Sequence, residues 1–158
     1  MTRLTSRTGV LVSVAALALV GTIDLPTVSP KAVSDPQVTI MKIRMDVEGA
    51  LVTATLDNIP ASRDFVALLP LTLTLTDYAA TEKISDLPRK LSTAGAHRGS
   101  SAKTGDIAYY APWGNVAVFY RASGYANGLV KLGSLDAPAE VFSRPGPLRV
   151  TIERITNK

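Results

Sequence analysis

The chain has a single histidine, His97, which stands in a small, polar, glycine-rich stretch at residues 92–105 together with Ser100 and Ser101. A serine nucleophile needs a general base, and that base needs a fixed position and a partner that orients it. The stretch offers neither, and its serines lack the strand–turn–helix setting of a nucleophile elbow. His97 therefore reads as a solvated side chain. One histidine leaves no histidine pair for a metal, and the absence of cysteine excludes a thiol nucleophile, a disulfide and Cys-ligated zinc. No phosphate loop, dinucleotide fingerprint or EF-hand loop occurs. Neither a metal nor a cofactor is expected.

The residues that remain are suited to binding. Tyr109, Tyr110, Trp113, Phe119 and Tyr120 place five of the nine aromatic residues within 12 positions. Tyrosine and tryptophan join apolar area to a polar handle, so such a stretch can line a groove for an extended peptide or a small ligand. It can equally supply core, because alternation along a strand turns one of each neighbouring pair inward. Trp113, in a turn, is the residue least explained by core packing. Tyr78, Glu82, Lys83 and Arg89 gather in a second stretch, either as contacts at the mouth of a site or as a solvated loop with incidental charges. The candidate ligand-binding residues are thus Tyr78, Glu82, Arg89, Tyr109, Trp113 and Phe119, and no catalytic residue is assigned.

Strands must do most of the positioning. Met41, Ile43, Met45 and Val47 alternate with Lys42, Arg44 and Asp46, the pattern of a strand with one buried face. Glu48-Gly49 supplies a turn, and Val52, Ala54 and Leu56 continue on the second strand of a hairpin. Ala61, Phe65, Leu68 and Leu69 then recur at helical spacing between Pro60 and Pro70, which predicts a short amphipathic helix. Leu71, Leu73 and Leu75 alternate strictly with Thr72, Thr74 and Thr76. Residues 77–88 show no sure period, and residues 92–105 read as an exposed, mobile loop. Strands at 107–110 and 116–120 flank a Pro-Trp-Gly-Asn turn, and another at 129–132 follows Asn127-Gly128. Asp136 is placed to cap a brief helix reaching Ser143, and Leu148, Val150 and Ile152 alternate in a final strand. Strands so numerous in so small a domain avoid exposed edges by closing on themselves. The expectation is a mainly β fold, a closed antiparallel barrel of about eight strands with two short helices at its ends.

The 158 residues, 46% of them hydrophobic and 19% charged, suit one globular domain. Arg3 and Arg7 precede an apolar run at residues 10–20, the layout of a secretory signal peptide. The run falls short of the roughly 20 residues that span a bilayer core. Residues 1–22 therefore read as a signal peptide or an uncleaved signal anchor, with cleavage near Val20-Gly21-Thr22 or at Ala32-Val33-Ser34. Residues 23–37, with Pro26, Pro30 and Pro36, read as a disordered linker, and residues 38–158 as the folded domain. Removing residues 1–34 leaves 14 basic against 12 acidic residues, and with no basic run nucleic acid is not an expected partner. The expected location is periplasmic or extracellular, with the membrane reached only through an uncleaved anchor, and the expected state is a monomer.

The order hairpin, short helix, strand, long excursion, hairpin, strand, short helix, final strand resembles that of the cyclophilins, eight-stranded barrels with a helix at each open end. The string PASRDFVALLP at residues 60–70 resembles the cyclophilin helix after the second strand. GDIAYYAPWGNVAVFY at residues 105–120 resembles a signature of small prokaryotic cyclophilin-like proteins. The resemblance spans about residues 38–156. It implies an apolar pocket, with Phe119, or Val118 if the register shifts by one, in the place of the phenylalanine that floors the proline pocket. In the prolyl isomerases of this fold, a Phe-His-Arg strand supplies an arginine to the substrate carbonyl and a Gln-Gly-Gly-Asp segment helps hold the peptide. Neither string occurs here. Residues 71–78, where the arginine is due, read LTLTLTDY, and Arg89 reaches inward only if the excursion folds back.

Rotation about the prolyl amide has a barrier near ~20 kcal/mol that falls as resonance is lost. Losing one donor that strengthens as the amide twists costs about 2.7 to 4 kcal/mol, a factor of about 100 or more in rate. The N-terminal segment and the resemblance together therefore imply an exported protein that binds a peptide or small ligand in an apolar pocket without efficient isomerase activity. The alternative is a weak or divergent prolyl isomerase acting on envelope proteins, with Arg89 as a substitute donor.

Overall fold

The computed structural model describes residues 40–156, so the expected signal segment and linker lie outside the described residues. Among these residues the strands are β1 (Met41–Val47), β2 (Ala50–Leu56), β3 (Leu71–Tyr78), β4 (Glu82–Asp86), β5 (Gly99–Ala102), β6 (Asp106–Tyr110), β7 (Asn115–Phe119), β8 (Ser123–Asn127), β9 (Leu129–Leu135) and β10 (Leu148–Ile155). One helix, α1 (Pro60–Val66), and one 3-10 turn (Glu140–Ser143) accompany them. Eight strands close into an antiparallel barrel in the order β1-β10-β3-β4-β7-β6-β9-β2, while β5 and β8 pair as a separate ribbon.

The closure follows from the side-chain alternation. Met41, Ile43, Met45 and Val47 of β1 face inward, where they meet Leu73 and Leu75 of β3, Val116 and Val118 of β7, and Val150 and Ile152 of β10. The intervening Lys42, Arg44 and Asp46 are exposed. Glu48 and Gly49 both take positive φ, 53° and 92°, the conformation a two-residue hairpin turn requires between β1 and β2. The ring is sealed where β2 meets β9 through three residue pairs, Ala54–Leu135, Thr55–Ser134 and Leu56–Gly133. Only glycine fits the last of these, because a Cβ on Gly133 would stand 2.2 Å from the Thr55 carbonyl oxygen.

The two ends of the barrel are stoppered differently. Pro60 opens α1 at a position where the missing N–H costs nothing, and Phe65 on its inner face is fully buried, a burial that contributes about 1.5 to 3 kcal/mol. The Ser62 hydroxyl donates to the Leu132 carbonyl and ties the helix to β9. At the opposite end, beside the β1–β2 turn, the 3-10 turn inserts Phe142, and Arg144 donates to the Val47 carbonyl.

Three local expectations are corrected. Residues 82–86, which show no period, form the barrel strand β4, and part of the supposed mobile loop forms β5 against β8. Asp136 caps no helix. Its carboxylate accepts bonds from the hydroxyls of Thr53 and Thr55 and from Lys42, and only the short 3-10 turn follows.

Candidate functional site

A strand that buries one face in a barrel turns its other face outward, and over β4, β6 and β7 that outer face is itself covered. The β5–β8 ribbon lies against it, packing Ala102 and Ala126 on Ala108, Ala117, Phe119 and Leu129. Beside this second, smaller core is a cavity of about 160 Å³. Tyr78 of β3, Glu82 and Ile84 of β4, Tyr110 of β6, Trp113 of the β6–β7 turn, and Asn115, Ala117 and Phe119 of β7 line it, with Ala126 and Leu129.

The aromatic wall is held by the turn. Tyr110 and Asn115 are cross-strand partners, so they share the outer face with Ala117 and Phe119. Gly114, at φ 75°, closes the turn by donating to the Tyr110 carbonyl. Gly128 braces it from below: its carbonyl accepts from Ala111, and a Cβ there would stand 2.7 Å from Pro112 Cδ. Trp113, 53% exposed, is thereby set edge-on to both Tyr78 and Tyr110, with ring centroids 5.2 and 5.3 Å apart.

Besides the hydroxyls and the indole N–H of its aromatic rings, the site has two polar side chains. Glu82 is half-buried among the rings, accepts a bond from the Thr81 hydroxyl, and is pushed by burial up to about 7. Asn115 is buried, and its side-chain oxygen has no hydrogen-bond partner. Behind this wall, on the inner face of the same strands, Lys83 is fully buried, and its ammonium donates to Asp77 at 2.7 Å and to the Gly146 carbonyl at 2.6 Å. The Lys83 ammonium, joined by the Tyr120 hydroxyl, holds the Asp77 carboxyl below its usual range. No lysine, arginine or histidine is among the cavity's lining residues.

The fold that carries this cavity is shared with known proteins. The model of the cyclophilin-like family matches residues 45–153. The chain belongs to the cyclophilin-like family. The solution structure of the hypothetical protein AF2241 from Archaeoglobus fulgidus is similar in fold, with a TM-score of 0.54 at 15% identity over 76% of this chain and 98% of that one. No curated protein matches the sequence.

Within the cyclophilin-like barrel, the residues singled out from sequence divide into two groups. Tyr78, Glu82, Trp113 and Phe119 meet at the cavity. Tyr109 and Arg89 do not. Tyr109 faces the barrel core, where its hydroxyl accepts the Leu91 N–H at 3.2 Å. Arg89 lies against α1, with Nη2 donating to the Asp64 carbonyl and Nη1 3.7 Å from the Asp64 carboxylate. Tyr110, Ile84 and Asn115 take their places. The register holds the signal that finds Tyr110: a four-residue turn pairs it with Asn115, two strand steps of two from Phe119. The outward row of β3, where the family resemblance leads one to expect an arginine, is Thr72, Thr74, Thr76 and Tyr78.

A larger hollow of about 460 Å³ lies between α1 and the loop before β5, and His97, Ser100 and Lys131 are among its lining residues. Ser100 and Lys131 are engaged with other groups. The Ser100 hydroxyl donates to the Leu129 carbonyl, and Lys131 pairs with Asp106 at 2.8 Å. Among the described residues no group of His, Cys, Asp or Glu side chains is disposed to hold a metal.

Proposed function

We propose that this member of the cyclophilin-like family is an exported protein that binds a peptide or small ligand in the aromatic cavity on the outer face of its barrel, as a monomer and without efficient prolyl isomerase activity. One observation carries the reading. A pre-formed hollow walled by Tyr78, Tyr110, Trp113 and Phe119 has no guanidinium among its lining residues. Concave apolar sites with a few convergent polar groups are the usual form of a binding site. An isomerase needs, in addition, a donor that strengthens its bond as the amide twists, and the Arg89 guanidinium is engaged by Asp64. The basic and apolar N-terminal segment supports export.

Trp113 is the only tryptophan, so its fluorescence reports on the cavity directly. Titration with a panel of X-Pro peptides and small ligands is expected to shift that emission, and Tyr110→Ala to weaken the response by about tenfold, corresponding to about 1.4 kcal/mol. A protease-free assay on X-Pro peptides is expected to show the uncatalysed rate even at high protein concentration. Ordinary turnover in that assay overturns the proposal.

A further inference from the structure

Besides the hydroxyls of its tyrosines, the outer cavity carries a carboxylate and an amide oxygen, and no cationic side chain is among its lining residues. Glu82 is half-buried in it, and the side-chain oxygen of Asn115, itself 2% exposed, is without a hydrogen-bond partner. Buried polar atoms in native folds are paired, so an orphan at the wall of a cavity marks a place where a ligand supplies the donor. The charged and titratable groups around Glu82 give it no cation within the cavity. Tyr78 and Tyr110 lie inside it. Tyr120 and Arg121 follow at the end of β7. Asp77 and Lys83 are closed on one another across the opposite face of β3 and β4.

The rings complete the picture. Trp113 stands at 89° to Tyr78 and at 84° to Tyr110, so the three form the corner of a box. The π faces of tyrosine and tryptophan attract cations, and such boxes are how proteins hold alkylated ammonium groups. A volume of about 160 Å³ is below the ~300 Å³ at which sites for whole drug-sized ligands begin, so it takes one group of side-chain size.

Resting on the binding role given above, we propose that the group this cavity takes is a primary alkylammonium, carried by a peptide lysine or a free amine, held between the rings with its N–H donors on Glu82 and Asn115. A neutral apolar group leaves the Glu82 charge uncompensated and the Asn115 oxygen unmet, and a quaternary ammonium brings no N–H for either. The displacement of Glu82 up to about 7 by burial fits a carboxylate whose partner in the free protein is the neutral Thr81 hydroxyl and not a cation. A bound ammonium draws its proton off, while the amine itself stays charged to about pH 10. Affinity therefore rises with pH as Glu82 ionises, by about tenfold between pH 6 and pH 8, and levels off above that.

The test is titration of the full chain with N-acetyl-lysine N-methylamide, n-butylamine and the uncharged N-acetyl-norleucine N-methylamide, read by Trp113 fluorescence and calorimetry at pH 6 and pH 8. The expected result is that at least one amine binds about tenfold or more tighter than the norleucine compound at pH 8 and loses about tenfold at pH 6, and that Glu82→Gln removes both differences. Tighter binding of the lysine compound than of butylamine assigns the group to a peptide, and the reverse assigns it to a free amine, each upholding the ammonium class. Should Glu82→Gln fail to fold, the pH dependence of the unaltered protein against the uncharged compound decides alone. Equal binding of the norleucine compound, or a preference that survives Glu82→Gln, overturns the ammonium assignment and leaves the binding role standing. Binding of none of the three overturns the assignment too, and the binding role falls with it only if the wider panel also leaves Trp113 unmoved.

Discussion

Glu82 and Lys83 are neighbours in β4 and live in opposite surroundings, one facing the outer cavity and the other the barrel interior. Among the described residues, the buried ammonium of Lys83 is satisfied by Asp77 and the Gly146 carbonyl alone. Removing the carboxylate strands a charge in the interior, whereas removing the ammonium leaves a half-exposed acid that water can serve. Asp77→Asn is therefore expected to lower the melting temperature more than Lys83→Met does. Equal losses would show that Gly146 and water suffice for the lysine. The Asp77 carboxyl itself, held down mainly by the Lys83 ammonium, is expected to titrate closer to the ordinary carboxylate range in Lys83→Met, as side-chain carbon NMR would show. Glu82 runs the other way. Burial raises its pKa, so the fold favours the protonated acid, and stability declines as pH climbs from the ordinary carboxylate value through about 7. Glu82→Gln is expected to flatten that decline in a melting series from pH 5 to pH 8.

Individual strands show where a sequence announces its structure and where it does not. In β1, β3 and β10 one face meets the core and the other meets water, so apolar and polar residues alternate and the strands are plain from the letters alone. β4 breaks that rule because both of its faces are covered, with a lysine inside and an acid outside, and no alternation survives. The turn that leads into it, Ala79-Ala80, takes positive φ at both positions without a glycine or asparagine to mark it. The same logic explains the site. Trp113 is legible as a turn aromatic and Phe119 through the family resemblance, but the choice between Tyr109 and Tyr110 depends on hairpin register, and the tie between Arg89 and Asp64 spans 25 positions without any local trace. The seam between β2 and β9 offers a direct test of element packing. Gly133→Ala drives a Cβ into the Thr55 carbonyl and is expected to cost about 1 to 3 kcal/mol or more. Gly124→Ala, in β8 with open space around the added carbon, is expected to be neutral or to gain about 0.4 to 1 kcal/mol. Urea unfolding of the two variants compares them, and a tolerant Gly133→Ala would mean that the seam can widen.

At the scale of the whole molecule, the barrel sets opposing titrations against one another. Asp77 is held low chiefly by Lys83. At Asp106 and Asp136 burial pushes upward, but hydrogen bonds outweigh it, from Lys103 N–H, Lys131 and Ser134 for the first and from Thr55, Thr53 and Lys42 for the second. Depressed carboxyls contribute stability that is present above the unfolded value of about 3.9 and is lost as pH falls through the lower folded values. Glu82 subtracts stability above that range. The full chain is therefore expected to melt highest at mildly acidic pH, near about 5, and a melting temperature that climbs steadily to pH 8 would contradict this balance.

The placement of Glu82 and Lys83 on one strand also bears on how this outer surface can change over evolutionary time. Sliding β4 by a single step relative to β3 and β7 swaps every inward side chain for an outward one. Deleting one residue at Ala79-Ala80 would thus carry the lysine out to the ring-walled hollow and drive an acid toward the interior. The sign of charge this recess presents is written in the length of the three-residue bend, Ala79-Ala80-Thr81, that joins β3 to β4.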